Sequence, residues 1–283
     1  MKKLSIVTLV IIALTSGRMS FVMAAEEKNA GINTVEQNVN DLLLIRDDDS
    51  LSDKEKAAKE IEVKTKILEG VLSLSLDEVK NLNGKLKDLP EFPKDSQEKK
   101  MQEGFMKSLE VHAAYYNEEL NKLALLQTLA ELRNMAEEVK KYRETVYNSD
   151  VQKIVEFALV FYSENVLGVS NNRLDKISGD IKKLSGMGYI RAGAFDSQMA
   201  KAKDLLELAA KLQKQAKEIV LKVPDGKDMV SDNAPAELII KDGEVKKLPA
   251  PTNLMGDSLN KIKEAYGIFL QISKDVRKAL GIK

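Results

Sequence analysis

The residues able to do chemistry are few. The chain has one histidine, no cysteine and no tryptophan. A thiol nucleophile, a thiolate metal site and a disulfide framework all need a residue that is missing, and a multi-histidine metal centre is equally out of reach. His112 lies on a helical stripe made by Phe105, Leu109, His112, Tyr116, Leu120 and Leu123. It could act as a general base beside the Tyr116 phenol. Helical spacing sets no acid or nucleophile next to it, so packing at the edge of an apolar face is the stronger expectation for this imidazole.

A second polar group interrupts an otherwise apolar stripe, from Glu164 and Asn165 to Asn172 and Arg173. Asn165 and Asn172 are seven residues apart and share a helix face, so facing inward they would form a polar network or line a small-ligand pocket with Phe161 and Tyr162. His112 completes this set of candidate residues, none of which is assigned a catalytic, cofactor-binding or metal-binding role. The run Asp47-Asp48-Asp49-Ser50-Leu51-Ser52-Asp53 resembles a calcium loop at first sight. It carries Leu51 at position five, Ser52 rather than glycine at six and Ala58 rather than glutamate at twelve, and so fails as one. No phosphate loop, dinucleotide-binding glycine pattern or hydrolase motif is present. No cofactor is expected.

The elements that would position these residues are helices. The chain is 283 residues long with 43% hydrophobic and 31% charged residues, and its 15 glycines and 6 prolines are sparse, a profile that favours helix over sheet or disorder. No proline falls between Lys94 and Val223, which leaves that block free to be helical. Four Ser/Thr-x-x-Glu/Gln signals, at Ser52–Glu55, Ser75–Glu78, Thr128–Glu131 and Ser149–Gln152, predict helix starts.

Apolar stripes follow these signals: Leu132, Ala136, Val139, Tyr142 and Val146; then Val151, Ile154, Ala158, Phe161, Val166, Val169, Ile177, Ile181 and Leu184. Met199, Ala202, Leu206, Ala209, Gln213, Ala216 and Val220 step by three and four, as do Leu259, Ile262, Tyr266, Phe269, Ser273, Val276 and Leu280. The fold class expected is all-α: five to seven mostly antiparallel long helices, with coiled-coil-grade seams. The expected organisation is a short N-terminal helix and acidic linker over 25–50, a main bundle over 51–222, a proline-containing loop over 223–252 and a C-terminal helix over 253–283 that packs on the bundle. Within the loop, the Asp242-Gly243 pair predicts a small β-hairpin near 237–247.

Several stretches resemble a group of uncharacterised secreted helical proteins of small-genome candidate-phylum bacteria. These are Tyr142-Arg143-Glu144, Tyr147-Asn148, the run from Glu156 to Tyr162, the run from Asn171 to Ile177, and Ala265-Tyr266-Gly267-Ile268-Phe269. The resemblance implies an all-helical, exported protein and supplies no site residues, since the group has no established activity.

Residues 1–24 read as an address. Lys2 and Lys3 precede an apolar run from Leu4 to Leu14, and Val22 and Ala24 supply the small residues of a cleavage site. Arg18 sits late in this segment, so an uncleaved membrane anchor is the competing expectation. Cleavage would remove three cations and no acid, leaving 41 basic against 44 acidic residues. A mildly acidic chain without clustered lysine and arginine is a poor partner for nucleic acid. The expected function is that of a non-enzymatic, extracytoplasmic scaffold or protein-interaction protein of the cell envelope, whose partner is an envelope protein or a second copy of itself. The alternative is a periplasmic module for a small ligand or lipid. N-terminal sequencing of the native protein should find Ala25 as the first residue; an intact Met1 would establish the anchor instead.

Overall fold

The computed structural model describes residues 25–222, 237–239, 245–247 and 249–281. The expected signal over 1–24 lies outside them. The fold is all-α. Among the described residues, helices run in the order α1 (Ala25–Asp47), α2 (Asp53–Lys87), α3 (Gln97–Leu123), α4 (Leu129–Tyr142), α5 (Asn148–Gly186), α6 (Asp196–Lys222) and α7 (Pro251–Ala279). One turn of π-helix, Arg143–Tyr147, joins α4 to α5 without a break. No described helix is long and apolar enough to cross a membrane. Between α6 and α7, Glu237–Ile239 pairs antiparallel with Val245–Lys247; the Asp242-Gly243 turn expected there is outside the described residues.

Two of the four start signals are true caps. Ser52 and Thr128 each accept the backbone N–H three residues on, while Glu55 and Glu131 return the bond to the cap backbone. The other two are interior to helices. Ser75 lies within α2, where its hydroxyl donates to the Val71 carbonyl at 2.8 Å, and Ser149 lies within the continuous helix that follows the π-turn. α5 ends as glycine allows: Gly188 takes φ +78°, and the N–H groups of Gly188 and Tyr189 cap the Ser185 and Leu184 carbonyls.

The chain divides into two compact units, each described by itself. The division falls inside α3 and α5 rather than at the proline-containing segment. The first unit comprises the described part of Met1–Asp88 together with Gln102–Gln152. In it α1 and α2 run antiparallel: the Arg46 guanidinium sits 3.5 Å from Glu60, Gly70 lies against Val35, and Gly31 lies against Leu74. Val35, Leu42, Ile67 and Val71 form the apolar seam between them. The rest of this unit's core includes Leu72, Leu76, Val79, Leu109, Tyr116, Leu132, Met135, Val139 and Tyr147.

The second unit comprises Leu89–Met101 and Lys153–Lys283 in its described part. Ala202, Leu206, Ala209, Gln213, Ala216 and Val220 are buried along α6, as their spacing predicts. On α7 the buried residues are Pro251, Leu254, Met255, Ser258, Ile262, Ala265, Phe269 and Ile272. Ile262 and Phe269 of the expected stripe are buried, while its alternate positions Leu259, Tyr266 and Ser273 give way to their neighbours Ser258, Ala265 and Ile272. Small side chains explain the choice: with alanines along α6, the backbones approach closely enough for Ser258 Oγ to donate to the Ala209 carbonyl at 3.1 Å, and the bulky Leu259 and Tyr266 are left to flank the seam.

Gly70 and Gly104 separate packing from propensity. Alanine favours helix over glycine by about 1 kcal/mol at either position. A Cβ on Gly70 would meet Val35 Cγ2 at 2.6 Å, whereas one on Gly104 meets nothing within 4 Å. Urea denaturation should therefore show Gly104→Ala more stable than wild type by about 0.5–1 kcal/mol, and Gly70→Ala less stable by about 1 kcal/mol because overpacking outweighs the propensity gain.

Candidate functional site

The π-turn positions the only cluster of mutually bonded reactive side chains found among the described residues. Its defining bond runs from the Asn148 N–H to the Arg143 carbonyl, five residues back. The extra residue rotates the helix phase, so the inward position after Tyr142 passes to Tyr147, which is fully buried, and the expected Val146 is exposed. Tyr142, Arg143, Tyr147 and Asp150 are thereby brought against α2 and α3.

Four of the seven tyrosines and the single histidine meet here. Tyr115 and Tyr142 stack with ring centroids 3.6 Å apart. Tyr116 stands edge-on to Tyr142 and Tyr147 at 5.9 and 5.5 Å, and the His112 ring stands edge-on to Tyr147 at 5.1 Å, arrangements that the ring quadrupoles favour. His112 is 2% exposed. Its Nδ1 lies 2.6 Å from the Tyr142 hydroxyl, and its Nε2 lies 3.2 Å from Asp150 Oδ2 and 3.4 Å from Ser108 Oγ. Ser108 donates to Asp150 Oδ2 at 2.7 Å. Burial, then the Asp150 charge, raise the Tyr142 phenol above its ordinary range, which keeps it a donor. The network closes with Tyr142 O–H donating to Nδ1 and Nε2–H donating to Asp150.

This is not the order of a hydrolase. In a serine triad the hydroxyl gives its proton to one imidazole nitrogen while the acid holds the other. Here serine and acid share Nε2, and the serine proton points at the carboxylate. The bonds tie α3 to the helix that follows the π-turn.

Beside it lies a second group. Arg143 donates to Ser75 Oγ and, at 3.3 Å, to Glu78 Oε2; its guanidinium carbon is 5.0 Å from the centre of the Tyr147 ring, in cation–π range. The Ser75–Glu78 pair that resembles a capping box is thus a receptor for a largely buried arginine. The hydroxyls of Tyr116 and Tyr147 lie near Ser75 and Glu78 respectively, without a hydrogen bond of ordinary geometry. Burial is the main cause that pushes both phenols far above the ordinary value, with the Glu78 charge adding to it and Arg143 opposing. Tyr115 is pushed up to about 12 by burial and by the neighbouring Glu119.

The expected group in the second unit does not assemble. Phe161 is buried against Phe92 and Phe157, each 4.8 Å away between ring centres, with Lys217 Nζ 4.7 Å from its ring. Tyr162 is half-buried, while Glu164, Asn165, Asn172 and Arg173 are exposed. Glu164 pairs with Lys217 at 3.0 Å. Asn165 and Asn172 do share a face, but it is the wrong one. The buried row is Ser163, Ser170 and Ile177, and a residue two positions away points about 200° round the helix. The same phase exposes Val166 and Val169. The inward polar contact is instead Gln213, whose amide donates to the Ser163 carbonyl at 3.1 Å. An open groove of about 810 Å³ on α6 and α7, lined by Leu208, Leu212, Asp257, Asn260, Lys261, Lys263 and Glu264, mixes charges of both signs.

Of the cluster residues, reasoning from sequence reached His112 and Tyr116. Ser108, four residues before His112 on one helix, is set beside it by helical spacing, which corrects the expectation that no such group stands there. Asp150, Tyr142, Arg143, Ser75 and Glu78 were not within reach of that spacing rule, because they come from other helices. Among the described residues, no group of three or more His, Cys, Asp and Glu could hold a metal ion. Compared with protein-family models, with curated proteins and with solved structures, the chain matches none.

The buried phenols make stability depend on alkaline pH. A tyrosine whose folded pKa lies above the unfolded value of about 10 contributes stability that is complete below that pH and is lost as pH rises through and beyond it. Tyr147→Phe should leave stability at pH 7 within about 1 kcal/mol of wild type, since the hydroxyl it removes makes no hydrogen bond of ordinary geometry. It should also shift the alkaline unfolding midpoint upward. Denaturant titrations at pH 7 and across the alkaline edge check both; a variant that unfolds at lower pH than wild type would refute this account.

Proposed function

We propose that the protein is a non-enzymatic helical scaffold or protein-interaction protein, exported to the cell envelope. The observation that supports this most is the closure of the His112 cluster found among the described residues. Both ring nitrogens of His112, the Ser108 hydroxyl and the Asp150 carboxylate face one another, which leaves no nucleophile–base pair turned toward a substrate.

The surroundings of Phe161 favour this reading over a small-ligand or lipid module, because Phe92 and Phe157 fill the space where the aromatic face of a ligand would lie. Export rests on the charged start and apolar run of residues 1–24, together with the likeness to secreted helical proteins. The absence of cysteine suits an oxidising compartment in which stability comes from caps and apolar seams. The partner is an envelope protein or a second copy of the chain. Exposed apolar side chains available to it include Leu43 and Leu44 on α1 and Leu270 on α7.

A photo-crosslinking residue placed at Leu44 or Leu270 should, in intact cells, give a discrete adduct of one mass rather than a smear. A protein that remains a concentration-independent monomer, with no adduct from either position, would overturn the proposal.

A further inference from the structure

The contact between Tyr142 and His112 has the geometry of a proton-coupled electron donor. A phenol that loses an electron must also lose its proton, so it oxidises readily only where a base is already bonded to the hydroxyl, within about 2.6–3.2 Å. Tyr142 meets that condition at 2.6 Å from His112 Nδ1. The carboxylate of Asp150, 3.2 Å from Nε2, stands ready to stabilise the imidazolium that would result. Tyr116 and Tyr147, in the same cluster, make no hydrogen bond of ordinary geometry through their hydroxyls, so neither has a well-aligned imidazole in place as Tyr142 has. Tyr142 and the ring stacked on it, Tyr115, 3.6 Å away, are both half-buried. An oxidant in solution therefore need not enter the core.

We propose that Tyr142 is a redox-active tyrosine, which gives one electron, by way of the Tyr115 stack, to a one-electron oxidant of the oxygen-centred-radical class. In that step the Tyr142 O–H bond breaks and an N–H bond forms at His112 Nδ1. The ring electron passes to the oxidant, which becomes its anion. The products are a neutral phenoxyl radical on Tyr142 and an imidazolium held by Asp150, so proton, electron and charge balance without a metal. The activity is a sink for oxidising equivalents and is separate from partner binding.

Flash photolysis of the full chain with photogenerated tris(bipyridine)ruthenium(III) as the oxidant tests this, with tyrosyl formation followed by transient absorption and the radical identified by electron paramagnetic resonance. Wild type should show a fast phase that slows in heavy water, because a proton moves with the electron. Tyr142→Phe should abolish that phase while circular dichroism shows the helices intact. His112→Gln should slow it about a hundredfold, the low end of what a positioned proton acceptor contributes. If His112→Gln does not fold, the wild-type isotope effect and Tyr142→Phe decide the matter alone. A fast phase that survives in Tyr142→Phe, or one insensitive to heavy water in wild type, would overturn the assignment.

Discussion

One extra residue in a helix, between Tyr142 and Asn148, sets the phase on which the first unit depends. In a regular α-helix Tyr142 and Tyr147 would point about 140° apart. The π-turn brings them to one side and carries Arg143 and Asp150 with them. Such a turn gives up regular hydrogen bonding, and it persists where side-chain contacts outweigh that loss. Here those contacts are the Tyr142–His112 bond, the Arg143 bonds to Ser75 and Glu78, and the packing of four tyrosine rings. Val146, the position a regular stripe would bury, is left outside.

The second unit is organised by a different constraint, the size of the side chains at its closest helix contact. Ala202 and Ala209 share one buried cluster with Ala265, and Ser258 bonds the Ala209 carbonyl, so α6 and α7 approach until side chain meets backbone. A similar rule operates between α1 and α2, where Gly31 and Gly70 admit Leu74 and Val35. Close approach increases dispersion contact along the seam and leaves little tolerance for an added methyl group.

These two constraints explain why polar residues divide as they do. A polar side chain survives in the interior where a partner lies within reach: His112 between a phenol and a carboxylate, Gln213 on a carbonyl, Ser75 between a carbonyl and a guanidinium. Asn165, Asn172 and Arg173 have no such place on the inner face of α5 and lie at its surface. Polarity within an apolar stripe marks a break in the stripe as readily as an internal network.

The helical class, the caps at Ser52 and Thr128 and the buried row of α6 were all legible in the sequence, because each depends on residues within a turn or two of one another. Local hydrogen bonding and helical spacing are properties of the chain itself. What only the tertiary structure decided were matters of phase and of pairing across helices. They include the π-turn, the one-residue displacement of alternate positions on α7, and the conversion of Ser75 and Glu78 from an apparent cap into a seat for Arg143. The company of His112 belongs with them, because Asp150 and Tyr142 stand 38 and 30 residues away in the chain. Periodicity states which residues share a helix face, whereas the neighbour a face meets is chosen by the fit and bonding of side chains from other helices.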